Sequence, residues 1–232
     1  LPIELFGETG LHYARVDRPG DEPSAERGIV DLAVLDMHHR YPNLGHSSIV
    51  ETLLGIANDV RKSLGPRAPE VRVISFDLRG SGAVPVSPAS RFPVVVGTGG
   101  PGALDPHLND GVSEGSQGIL ENPMWETPLW RFFDDTVATP GTSFLGICHS
   151  FGLLCRWSGV AEARLRTQKG KSAGVVRNVL TAQALHHPWF SGFHIANSGP
   201  VIEVLDSRLF DLIPAGSSSG GILAHEADDQ GN

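Results

Sequence analysis

Thr142-Ser143-Phe144-Leu145-Gly146-Ile147-Cys148-His149-Ser150-Phe151-Gly152-Leu153-Leu154 reads as a short buried strand, a sharp turn and then a helix. Cys148 falls at the tip of the turn, with small residues two positions away on either side, Gly146 and Ser150. A nucleophile on a tight strand-to-helix turn needs small neighbours there, because the backbones pass too close for a bulky side chain. The amino end of the following helix favours negative charge at the tip. The competing reading is an ordinary strand–helix junction carrying a core cysteine, since free cysteines are often buried. On these thirteen residues the two readings stand level.

Outward from this stretch, composition sets the bounds. The chain has 232 residues, enough for one domain with or without an extension, and is 40% hydrophobic, enough for a sizeable core. Its net charge of −8 argues against a nucleic-acid or anionic-membrane partner, and the basic residues are scattered. The two cysteines, Cys148 and Cys155, form no disulfide framework and fit a reducing, cytoplasmic setting. No apolar run approaches the roughly 18 residues of a membrane span, and the first residues carry no signal pattern.

In chain order, residues 1–27 are polar and rich in Gly, Pro and charge, and read as an N-terminal extension preceding a domain over 28–232. Residues 28–36 form a first strand. A helix follows from His46, with Ser47 or Ser48 as N-cap, Glu51 in capping-box reach, and Ile49, Leu53, Leu54, Ile56 and Val60 as its apolar face. Residues 71–76 alternate as a second strand, and 92–96 form a third. Residues 123–137 read as a helix with Trp125, Leu129, Phe132 and Phe133 inward. Beyond the cysteine unit, 174–181, 189–195, 201–205 and 221–225 look like strands, and Ser207 to Leu212 suggests a short helix. Strand–helix alternation followed by strands predicts an α/β fold. Its sheet is doubly wound and mostly parallel, with helices on both faces and an antiparallel edge, flavodoxin-like in order.

Gly97-Thr98-Gly99-Gly100-Pro101-Gly102 follows the third strand and formally matches G-x-G-x-x-G. As a dinucleotide fingerprint it is weak, because Pro101 interrupts it and no helix opens directly after it. A P-loop is excluded at Gly170-Lys171-Ser172, since Leu165 stands where a glycine is required. A plain tight turn is the simplest alternative. The favoured reading is an oxyanion hole, in which N–H groups of this turn and that of His149 face one developing charge.

With both stretches in hand, the chain resembles a class I glutamine amidotransferase domain. Residues 96–102 resemble that family's Gly-Gly-Pro-Gly oxyanion strand, and Phe144-Leu145-Gly146-Ile147-Cys148 its nucleophile strand. Residues 171–181 are similar to the segment after the nucleophile helix. Ala196-Asn197-Ser198-Gly199-Pro200-Val201 resembles the loop that holds the amino-acid end of glutamine. The resemblance implies that Cys148 attacks a glutamine side-chain amide or a related γ-glutamyl carbonyl. Gly100 and His149 would donate backbone N–H groups to the oxyanion, and Gly102, Asn197, Ser198 and Gly199 would contact substrate. A histidine oriented by a glutamate would carry the proton. It implies no cofactor and no metal. Its substrate is a small molecule, and any ammonia-accepting synthetase would be a separate partner chain.

The chain departs from the family pattern at Ser150, where the family has Gly, and at Gly152, where it has a substrate-holding Gln. The family's His-x-Glu pair is expected beyond Asn232, so the domain reads as incomplete at its C-terminus. Of the histidines present, His194 and His225 stand as candidate bases, although a surface or core role outweighs that one for each. His186 and His187 read the same way. A zinc site from Asp36, His38 and His39 is conceivable but disfavoured, because adjacent loop histidines have poor geometry for one ion. Two alternatives stay open: a γ-glutamyl peptide or amide hydrolase, favoured by Gly152, and a non-catalytic binding or regulatory domain on the same scaffold.

Overall fold

A computed structural model describes residues 10–41, 43–166, 170–190, 200–216 and 221–227. They group into two compact units, Leu1–Trp157 and Ser158–Asn232. The first is built on a five-stranded, all-parallel sheet. Its strands are β1 (Leu11–Val16), β2 (Ile29–Asp36), β3 (Glu70–Asp77), β4 (Val94–Gly97) and β5 (Ser143–Gly146), in the order β1-β3-β2-β4-β5. After β2 the chain steps to one side to make β3, then crosses back to make β4 on the other side of β2. The carboxyl ends of β2 and β4 therefore flank a topological switch point, the place where doubly wound sheets open a crevice.

Strand alternation divides the core into two layers. Leu35 of β2 and Ile74 and Phe76 of β3 face one side, where Leu129, Phe132 and Phe133 of α3 (Glu126–Ala138) and Leu153 of α4 (His149–Ser158) cover them. Val34, Val71 and Val73 face the other side and meet Val50, Leu54 and Ala57 of α1 (Leu44–Leu64). Strands covered on both faces read as nearly unbroken apolar runs, which is why β2 to β4 are visible in the sequence. Strand β5, read from the sequence as a buried strand, instead alternates exposed and partly buried residues.

Three local expectations are corrected. Helix α1 starts earlier than His46: its N-cap is Asn43, whose side chain accepts from the Gly45 N–H at 2.6 Å. Its buried stripe is His46, Val50, Leu54 and Ala57, so Ile56 (57% exposed) and Val60 (49%) point outward. The stripe is displaced because His46 goes inward, its Nε2 bonding the Ser75 hydroxyl at 2.9 Å. Within the segment read as an extension, Leu11–Val16 is a sheet strand, in register with Val71 to Phe76. Ion pairs of Arg91 with Glu22 and of Arg72 with Glu26 tie the following loop to the sheet. A short polar strand with only Leu11 and Val16 fully buried gives little periodic signal.

The second unit holds β6 (Ala161–Leu165), β7 (Ser172–Leu180), the single turn α5 (Ala182–Leu185), β8 (Val201–Arg208), β9 (Phe210–Pro214) and β10 (Ala224–Glu226). Among the described residues its pairings are antiparallel, in a β10-β7-β8 sheet and a β6-β9 pair. The helix expected over Ser207 to Leu212 is instead the end of β8 and the start of β9. Leu209 separates two strands that belong to different sheets. Most of the strand expected over 189–195 lies outside the described residues.

Candidate active site

Cys148 stands between β5 and α4, exposed, with φ +54°. For a non-glycine residue this left-handed conformation is uncommon and costs energy, so the turn must be held from outside. It is held by its neighbours. The Ile147 N–H donates to the Gly97 carbonyl at 3.0 Å and to the Ser150 hydroxyl at 2.8 Å, and that hydroxyl donates back to the Ile147 carbonyl. The Ser150 N–H reaches the Thr98 carbonyl at 3.3 Å. A Cβ on Gly97 would sit 2.5 Å from that of Ser150, and one on Gly146 would sit 2.9 Å from the Phe151 backbone. The small residues around the cysteine are therefore required by space, as the sequence argument held.

The glycine turn after β4 runs beside the cysteine. A Cβ placed on Gly99 would lie 3.6 Å from the Cys148 Sγ. Gly100 presses on the loop after β2, where its Cβ would meet the Met37 carbonyl oxygen at 2.2 Å. Gly102 takes φ +89°, facing Asn109. Among the described residues no acceptor meets the backbone N–H of Gly100 or of His149. The His149 ring is buried behind this turn, against the Gly100 backbone, and its Nε2 has no partner among the described residues. Burial, helped by the positive charge of Arg79 and by His38, holds this histidine well below the ordinary range, so it is neutral.

Sequence reasoning missed the groups that support the turn. Arg79, in the single turn α2 (Leu78–Ser81), forms a fully buried ion pair with Glu121 at 2.6 Å. Thr98 accepts from the Met37 N–H at 2.9 Å and lies 3.3 Å from the His38 Nδ1. Asp36 bonds the His38 ring at 2.9 Å and its backbone N–H at 3.0 Å. Burial alone would favour a neutral Asp36, but these bonds and Arg15 hold its carboxyl far below the usual range. Asp36 and His38, weighed from sequence as metal ligands, are thus bonded to each other. No other signal marked Arg79 than an arginine standing alone in a Gly/Ser loop. An open pocket of about 400 Å³ lies beside Asp36, lined by Arg15, Arg40, Tyr41 and His46, and Cys148 does not line it.

The remaining expectations divide. Asn197, Ser198, Gly199 and His194 lie outside the described residues. His225 is in β10 of the second unit, opposite Val179. The Gly152 position, where a polar side chain would grip substrate, packs on Leu104, and a Cβ there would come within 2.4 Å of it. Among the described residues no helix is long and apolar enough to cross a membrane.

No family model matches this chain, and no curated protein matches it either. Solved structures do. A protein named SMU.1228c superposes with a TM-score of 0.52 at 14% identity, over 86% of this chain and 68% of that one. A glutamine amidotransferase from Methylobacillus flagellatus superposes with a TM-score of 0.50 at 17% identity, over 81% of this chain. The chain spans 59% of the length of that enzyme. At these identities the likeness is one of fold. The chain thus shares its doubly wound α/β architecture with a glutamine amidotransferase of known structure.

Proposed function

We propose that the protein is a cysteine hydrolase of the class I glutamine amidotransferase type, acting on glutamine or a related γ-glutamyl amide. The observation that carries this reading is the exposed Cys148 at φ +54°, on a turn fixed by Ser150 and flanked by the glycine loop. A residue held in a strained, accessible conformation by so many contacts is the mark of a positioned nucleophile. In the proposed reaction the Cys148 sulfur adds to the amide carbonyl. The backbone N–H groups of Gly100 and His149 take the oxyanion, the amine leaves with a proton, and water releases the acid from the thioester. Gly102, Asn197, Ser198 and Gly199 are proposed to bind the substrate. The proton carrier is proposed to be a histidine, with His194 and His225 as this chain's candidates. The scheme needs no cofactor, fits a cytoplasmic protein, and leaves any ammonia acceptor to a separate synthetase chain.

A second substrate reading has its own support. With Leu104 against Gly152, no polar side chain at that position grips the substrate, which favours a larger γ-glutamyl peptide or amide over free glutamine. Parallel assays on L-glutamine and γ-glutamyl-p-nitroanilide separate the two. Cys148→Ala should abolish release of ammonia or nitroaniline while leaving the circular dichroism spectrum intact. Turnover surviving in that variant removes the proposal. An exposed but unreactive Cys148, untouched by iodoacetamide at neutral pH, would instead support a binding or regulatory domain.

A further inference from the structure

Arg79–Glu121 is a densely hydrogen-bonded side-chain pair of the first unit that the proposed reaction does not use. Both side chains are without solvent contact. Arg79 donates from Nε and Nη2 to the two Glu121 carboxylate oxygens at 2.6 and 2.7 Å, and from Nη1 to the carbonyls of Met37 at 2.9 Å and Pro101 at 2.6 Å. Glu121 also accepts from the Trp125 indole at 3.1 Å and from Asn109 at 2.6 Å. Asn109 in turn closes on the Ala103 backbone, accepting its N–H at 2.8 Å and donating to its carbonyl at 3.1 Å. The glycine loop is thereby gripped at Pro101 and at Ala103, and Gly100, just before Pro101, lies close against the Met37 carbonyl.

A buried ion pair is a poor way to gain stability, since well-packed apolar side chains of similar volume do as well or better. What this pair does that apolar side chains would not is fix carbonyl and amide directions along one loop. We propose that Arg79 and Glu121 are positioning residues that hold the 99–103 loop in the orientation needed to receive the oxyanion. This rests on the reading of Gly100 as an oxyanion donor. A fixed dipole contributes to the transition state because it does not reorganise when charge develops, and a displacement of about 1 Å is enough to lower turnover a hundredfold.

The test uses Arg79→Met, the neutral double variant Arg79→Met/Glu121→Gln, and Glu121→Asp, which keeps the charge but shortens the reach. Arg79→Met leaves a lone buried carboxylate and should lower the melting temperature, while the double variant should recover most of the loss. In the double variant, kcat on γ-glutamyl-p-nitroanilide should stay at least about tenfold down with KM within about threefold, and Glu121→Asp should fall between. Iodoacetamide should label Cys148 at the wild-type rate, since alkylation makes no oxyanion. Backbone amide exchange over 99–103 should quicken about tenfold while β2 and β3 stay protected. Recovery of kcat together with stability in the double variant would overturn the proposal, because the pair would then be merely structural. Unchanged loop exchange would overturn it as well. A wild-type protein that does not turn over the probe counts against the proposed reaction alone, and loop exchange then decides the clamp.

Discussion

At the scale of single residues, Cys148 couples conformation to chemistry. A left-handed backbone at an L-residue with a Cβ costs roughly 1–2 kcal/mol, and glycine avoids that penalty. Cys148→Gly should therefore be at least as stable as Cys148→Ala, by up to about 1 kcal/mol, although neither has a thiol. Urea denaturation of the two variants measures the difference. An alanine variant more stable than the glycine variant would mean that the turn carries no strain. The strain itself cannot be seen in the sequence, but its footprint can. Gly146 and Ser150 are small where the backbones close on one another, and that pattern identified the turn, while the structure adds Gly97 to it. Arg79 and Glu121 left no such footprint, because they lie 42 residues apart and only the fold brings them together.

At the scale of elements, α1 shows how much depends on which stripe faces inward. Leu54 is buried against Val71 and Val73, whereas Ile56 and Val60 look out. Leu54→Ala should cost about 2–5 kcal/mol, and Ile56→Lys should stay within about 0.5 kcal/mol of wild type. Chemical denaturation of both variants checks the assignment, and a large loss from Ile56→Lys would refute it. Periodicity found this helix but not its rotation, because α1 carries apolar residues on two adjacent stripes and the polar His46 takes an inward place through Ser75. Helix α3 was legible in both respects, since Leu129, Phe132 and Phe133, with Trp125 just before its first residue, form a single apolar stripe that is buried as expected.

At the scale of the molecule, the buried titratable groups set an acid limit. Burial lowers both His149 and His46 below their ordinary range, so each is neutral in the folded protein and takes up a proton more readily when unfolded. Their contribution is complete above the unfolded value near 6.5 and is lost as pH falls below it, by up to about 1.4 kcal/mol per pH unit for each. Asp36, held low, adds a further loss once pH falls below its unfolded value of 3.8. Unfolding free energy should therefore decline from about pH 6.5 downward, with a second decline below about pH 4. His46→Gln should flatten the first decline, and a profile that is level between pH 6.5 and 5 would contradict the assignment. The parallel sheet was legible because strands covered on both faces are written as apolar runs, whereas its strand order and switch point come from the fold alone. The antiparallel unit was legible only as a change of pattern, since its strands alternate weakly and divide between two sheets.

The position of β1 also bears on how the molecule is made. Leu11 faces Val71, which is synthesised sixty residues later, and among the described residues β3 is the strand that β1 pairs with. At translation rates of about 5–20 residues per second, this segment leaves the ribosome roughly 3–12 s before its partner strand exists. Leu11 and Val16, both buried in the finished sheet, are exposed for that interval. Strand β1 is made before β3, so it cannot be placed in the sheet until the chain has passed through β2 and α1 and delivered its partner.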